Sequence, residues 1–87
     1  MFINKAANGQ NNLCGGKVAL LRVAMGISQR QLADLLQLEG LEVDKNSIQR
    51  IEAGKRFVTD IELVHLARVF HVSYAELLHL PDSEPEA

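Results

Sequence analysis

Apolar residues recur along most of the chain at spacings of three and four, the period of a helix with one buried face. The pattern divides into five segments bounded by residues that start or stop helices. It predicts helices at 15–25, 29–37, 45–53, 60–70 and 74–80. The alternation at Leu41-Glu42-Val43 is too short to predict a strand. We therefore expect an all-α fold, a compact five-helix bundle.

Three of the predicted helices begin with a capping box, in which a hydroxyl residue precedes Glu or Gln by three positions. The pairs are Ser28 with Gln31, Thr59 with Glu62, and Ser73 with Glu76. Asp44 is the predicted N-cap of the third helix. Gly26 and Gly54 are the predicted ends of the first and third helices, and Pro81 ends the fifth.

The apolar stripes of these helices predict the core. Its expected members are Val18, Leu21, Met25, Leu32, Ala33, Leu36, Ile48, Ile51, Leu63, Leu66, Ala67 and Phe70. The apolar stripe of the fifth helix consists of Leu77, Leu78 and Leu80. The connection 38–44 contains Leu38, Leu41 and Val43, which predict a loop that is packed against the domain.

A chain of 87 residues has room for one domain, which we place at 14–80. Residues 1–13 are polar and lack periodicity, so they predict a flexible arm. Residues 81–87 predict an acidic disordered tail. No apolar run approaches the ~18 residues that a membrane span needs, and the start lacks a signal-peptide core, so we expect a cytoplasmic protein.

The net charge is −2, which is unusual for a protein that binds nucleic acid. The positive charge is concentrated, however. Residues 17–30 contain three basic residues and no acid, and residues 45–58 contain four basic residues and one acid. Charges more than about 10 Å apart are largely screened, so a local basic face still binds phosphate.

The ordered set of motifs resembles one known family. Its parts are Ser28-Gln29, Leu32-Ala33, Ser47-Ile48, Ile51-Glu52 and Gly54-Lys55-Arg56. The series resembles the Cro/repressor-type (XRE-like) helix-turn-helix family of phage and bacterial transcriptional regulators, over about residues 16–80. The resemblance implies sequence-specific binding of double-stranded DNA by a major-groove recognition helix, and so a transcriptional regulator, with repression expected. The connection 38–44 departs from the family, which joins these helices by a tight turn.

The third predicted helix carries the candidate base contacts. With Ile48 and Ile51 facing inward, the outward face presents Lys45, Asn46, Gln49 and Arg50. Arg or Lys pairs with guanine O6 and N7, and Asn pairs with adenine N6 and N7. The alternative is an ordinary solvated polar face.

The resemblance adds two further sets of residues. The candidate phosphate contacts are Gln29, Ser47, Lys55 and Arg56, with Gln29 placed at the positive end of the second helix. Arg22 and Glu52 match a partly buried ion pair of the family that orients the recognition helix.

The chain lacks the parts of an enzyme, with no nucleophile–base pair and no glycine-rich phosphate loop. Its histidines are spaced by six and eight residues, so no two share a helical face at i and i+4 and no metal site is expected. The single cysteine permits no intramolecular disulfide. No cofactor and no small-molecule ligand is predicted.

One short helix reads few bases, so we expect a homodimer on a palindromic operator, with Leu77 and Leu80 at the dimer contact. The alternative function is a protein-interaction module that shares the fold and does not bind DNA. The acidic composition favours that alternative, whereas the basic outer face of the third helix favours DNA.

Overall fold

The computed structural model describes residues 9–78, and these form five helices and no strand. They are α1 (Gly15–Ala24), α2 (Gln29–Leu38), α3 (Lys45–Glu52), α4 (Asp60–Phe70) and α5 (Tyr74–Leu77). The all-α five-helix prediction is confirmed. The fifth helix is shorter than predicted, and the predicted tail 81–87 lies outside the described residues.

The capping signals place the helix starts. Ser28 and Thr59 each form both halves of the capping box, and the Ser73 hydroxyl accepts from the backbone N–H three residues later. Asp44 caps α3 in the same manner. Gly54 follows α3 with a φ of +74°, a conformation that favours glycine.

The core lies where α3 packs on α1 and α2, and where α4 packs on α1, α2 and α5. Its buried apolar side chains are Cys14, Val18, Leu32, Ala33, Leu36, Val43, Ile48, Ile51, Leu66, Ala67, Phe70 and Leu77. Met25 was predicted to be part of it but is half-exposed. Leu77 is fully buried, so the prediction that it forms the dimer contact is wrong: α5 folds back and uses this side chain inside the monomer. Leu80 lies outside the described residues.

The connection between α2 and α3 is held against the domain, but not by all the side chains predicted to hold it. Val43 is buried and Leu41 is half-buried, whereas Leu38 is 84% exposed. The side-chain nitrogen of Gln37 donates to the Val43 carbonyl at 2.7 Å. Val43 and Leu41 pack against the core, and the Gln37 side chain and the Leu41 backbone N–H, which donates to the Leu36 carbonyl at 3.0 Å, hold the loop. Leu38 does not contribute, because it lies on the outer side of α2.

The folded domain begins before the predicted boundary at residue 14. Asn12 is buried, and Asn11 hydrogen-bonds through its backbone and its side chain to residues that follow α3. The assignment of residues 11–13 to a flexible arm is therefore corrected, because asparagine amides satisfy backbone groups of a distant segment. Residues 1–8 of the predicted arm lie outside the described residues. Within 9–78, no helix is long and apolar enough to cross a membrane.

Candidate nucleic-acid interface

The outward face of α3 is a polar surface whose side chains make no hydrogen bonds or ion pairs within the described part of the chain. Lys45, Asn46, Gln49 and Arg50 are all exposed. Within residues 9–78, none of these four side chains has a hydrogen bond or an ion pair to another residue. With Asp44, Ala53 and Lys55, three of them line one shallow surface groove. Their donors and acceptors are therefore available to a ligand.

Burial of the opposite face fixes which side of α3 points outward. Ile48 and Ile51 are 0% and 1% exposed, and they anchor the helix in the core. Asp44 holds the first turn by accepting from the Ser47 backbone N–H at 2.8 Å. This hydrogen bond lowers the pKa of Asp44 and keeps its carboxylate charged. Ser47 itself is half-buried beside this cap.

The predicted Arg22–Glu52 ion pair is present and ties α1 to the end of α3. Arg22 Nε donates to Glu52 Oε2 at 2.6 Å, and Arg22 Nη2 donates to Oε1 at 3.1 Å. The Arg22 and Glu52 side chains are 17% and 8% exposed. Arg22 also donates to the Ile27 carbonyl at 2.9 Å, ahead of α2. The guanidinium thus joins the ends of three helices.

Gln29, a predicted phosphate contact, joins the same network. Its side-chain nitrogen donates to Glu52 Oε1 at 3.0 Å from the first position of α2. An amide nitrogen carries two N–H donors, so one remains for a phosphate oxygen. The bond to Glu52 also fixes the direction in which the amide points.

Arg56 has a partner that sequence reasoning missed. Its Nη1 and Nη2 donate to the two carboxylate oxygens of Glu62 at 2.9 and 2.8 Å, and Nη1 also donates to the Phe57 carbonyl at 3.1 Å. The Arg56 guanidinium lowers the pKa of Glu62, which is buried. Three of the five N–H donors of Arg56, which was predicted to contact phosphate, are therefore used inside the protein. The available signal was the capping box, which turns Glu62 back toward the segment before α4.

Lys55 differs from its neighbour. Its side chain is exposed and has no hydrogen bond or ion pair within the described part of the chain. Its backbone N–H donates to the Arg50 carbonyl at 2.9 Å in the turn that Gly54 makes after α3. The turn places a free ammonium beside the outward face of α3, as a phosphate contact requires.

A short helix with a buried inner face and an unbonded polar outer face, supported across two other helices, defines a helix-turn-helix nucleic-acid-binding domain. The helix-turn-helix family model matches residues 18–77, and the chain belongs to this family. The resemblance to the Cro/repressor-type regulators is thereby confirmed. The protein is a DNA-binding transcriptional regulator.

One solved structure agrees in fold and in sequence. The chain is similar to the restriction-modification controller protein C.AhdI from Aeromonas hydrophila, with 30% identity and a TM-score of 0.62. The similarity covers 72% of this chain and 84% of that chain. No curated protein sequence matches this chain. Within the described residues, no group of His, Cys, Asp and Glu is placed to hold a metal ion.

Proposed function

We propose that the protein binds a palindromic operator as a homodimer and represses transcription, with α3 lying in the major groove. The observation that carries this proposal is the outward face of α3, whose side chains are exposed and unbonded within residues 9–78. Such a face matches the donors and acceptors of base edges. No catalytic step and no cofactor is part of the proposal, and the site of action is the cytoplasm.

Each polar side chain on the outward face of α3 has a proposed role. Arg50 pairs with guanine and Asn46 with adenine, while Lys45 and Gln49 reach neighbouring base edges. The proposed phosphate contacts are Gln29, Ser47 and Lys55. Arg56 is assigned to the support of the loop, because Glu62 engages both of its terminal nitrogens.

The dimer compensates for the few bases that one short helix can read. Since Leu77 is buried, we propose that the contact uses the exposed side of the C-terminal part of the domain, where Tyr74 is 53% exposed. Two copies related by twofold symmetry place their α3 helices in successive major grooves, so the half-sites lie about 34 Å apart.

Selection of bound sites from a random duplex pool tests the operator and the dimer together. We expect a palindrome with half-site centres about 10 base pairs apart and a complex of two chains per duplex by sedimentation. A tight complex of one chain on an asymmetric site would contradict the dimer. Transcription in vitro from a promoter that overlaps the selected site should fall when protein is added. A rise would contradict repression and leave DNA binding intact.

A further inference from the structure

A buried asparagine ahead of α1 connects three separate segments of the chain. The Asn12 side-chain nitrogen donates to the carbonyls of Ile51 at 3.1 Å and Arg56 at 2.8 Å. Its side-chain oxygen accepts from the Gly15 backbone N–H at 2.8 Å. An amide offers two donors and one acceptor oxygen, so every polar group of this side chain is used.

The partners of Asn12 are backbone groups at the start of α1, in the last turn of α3 and in the loop that follows α3. The Gly15 N–H begins α1 and has no partner within that helix. The Ile51 carbonyl lies in the last turn of α3, and Arg56 lies in the loop that follows. One side chain therefore joins the start of α1, the end of the recognition helix and the loop beyond it.

The neighbouring Asn11 extends this connection to Lys55. Its backbone N–H donates to the Gly54 carbonyl at 2.8 Å, and its side-chain nitrogen donates to the Lys55 carbonyl at 3.0 Å. The Lys55 N–H is held at the same time by the Arg50 carbonyl. Lys55 thus carries an exposed ammonium, unbonded within residues 9–78, on a main chain that is held on both sides.

The connection brings two helix backbones close together. A Cβ atom at Gly15 would collide with the Ile51 carbonyl oxygen, so only glycine fits there. Seven residues further along α1, about 10 Å at 1.5 Å per residue, Arg22 binds the Glu52 side chain. The end of α3 is therefore held against α1 at two separate points of α1, which fixes the position of the last turn of α3.

We propose that Asn11 and Asn12 are positioning residues for DNA binding. Asn12 sets the position of the last turn of α3, and Asn11 holds the main chain of Lys55 so that its ammonium faces the phosphate backbone. A binding site needs supporting contacts that hold its groups to within about 0.5 Å. The inference rests on the proposed phosphate contact of Lys55.

A double-mutant cycle between Asn11 and Lys55 tests the second role. Binding of duplex DNA is measured at several salt concentrations for Asn11→Ala, Lys55→Ala and the double variant. Lys55→Ala should lower the slope of log K against log salt by about 0.9 and weaken all sequences alike. Asn11→Ala should weaken binding in the same direction, and in the Lys55→Ala background it should have no further effect.

Asn12→Asp tests the first role, because it keeps the oxygen that accepts from Gly15 and removes both donors. Val69→Ala is the control, since it removes part of a half-buried side chain of α4 that has no proposed contact with DNA or with a second copy. Both are assayed at a temperature at which circular dichroism shows each to be folded. Asn12→Asp should weaken operator binding about tenfold, because the Ile51 and Arg56 carbonyls lose the two N–H donors that hold the end of α3. Val69→Ala should bind like the parent.

The outcomes separate this inference from the proposed function. If Lys55→Ala weakens binding but Asn11→Ala acts additively or has no effect, the positioning role of Asn11 is wrong and the phosphate contact stands. If Lys55→Ala leaves binding and salt slope unchanged, the phosphate contact is wrong and the role of Asn11 falls with it. Parent-like binding by folded Asn12→Asp overturns the role of Asn12. If that variant does not fold, the Asn11 cycle decides the proposal.

Discussion

The outward face of α3 and its supporting side, formed by α1 and the loop after α3, both contain arginines, and these arginines have different partners before any DNA is bound. On the outward face, Arg50 and its neighbours are exposed and unbonded within residues 9–78. On the supporting side, Arg22 and Arg56 each bind a buried or half-buried carboxylate through two nitrogens. An arginine with its donors free can bind a ligand, whereas an arginine already paired with a carboxylate orients the elements around it.

This difference explains how an acidic protein binds DNA. The paired arginines are neutralised locally by Glu52 and Glu62, so they add little to the field that a phosphate experiences. The unpaired side chains of α3 and of Lys55 supply the positive charge at the interface. A count of charged residues along the sequence does not distinguish the paired arginines from the basic side chains that face the interface.

The largest expected effect comes from breaking the supporting side at Arg22. Arg22→Glu strands Glu52 beside a second carboxylate, and loss of one partner of a buried pair costs about 3–5 kcal/mol. The double exchange of Arg22→Glu with Glu52→Arg should recover part of that loss, but not the hydrogen bond from Arg22 to the Ile27 carbonyl. Denaturant unfolding of the four proteins measures both effects. A double variant whose loss of stability equals the sum of the two single losses would contradict direct coupling.

A smaller effect is expected where α1 approaches the end of α3. Gly15→Ala places a Cβ against the Ile51 and Glu52 carbonyl oxygens, and backbone atoms do not yield as a flexible side chain does. Overpacking of this kind costs about 1–3 kcal/mol. Gly16→Ala is the control, since a Cβ there meets nothing within 4 Å and should gain up to about 1 kcal/mol of helix propensity. Equal melting temperatures of the two variants would contradict the close approach.

The smallest effect at neutral pH concerns Cys14, the residue directly before α1, which is 1% exposed. Burial raises the pKa of its thiol to about 11. Because the folded-state pKa lies above the unfolded one, its contribution to stability is full at neutral pH and is lost as pH rises toward 11. We expect slow labelling of the native thiol at pH 7 and a smaller alkaline loss of stability in Cys14→Ala. Labelling as fast as in denaturant would contradict its burial.

Local chemistry made the helix starts predictable from sequence. The hydroxyls of Ser28 and Thr59 and the carboxylate of Asp44 act within one turn, so their effect is contained in a few neighbouring residues. The inward face of α3 was predictable for the same reason, since Ile48 and Ile51 are one helical turn apart. The outward face follows from it.

Contacts between distant segments were not predictable in this way. Asn12 and Arg56 are 44 residues apart, and no local pattern indicates that their groups meet. The pair of Arg22 and Glu52 was expected only through the family resemblance, and the pairing of Arg56 with Glu62 was missed. Leu77 was assigned to a surface because periodicity identifies an apolar face without saying what covers it.

The most direct test of the central claim compares Arg50→Ala with Arg56→Ala, in thermal stability and in competition binding against single-base-pair changes of the operator. We predict that Arg50→Ala melts like the parent, loses operator affinity, and loses about 1–3 kcal/mol of discrimination at one base pair. Arg56→Ala should melt at a lower temperature, because it strands the buried Glu62, and its loss of affinity should not depend on sequence. If Arg56→Ala keeps its stability and relaxes one base pair while Arg50→Ala loses affinity uniformly, the two roles are reversed and the account is wrong.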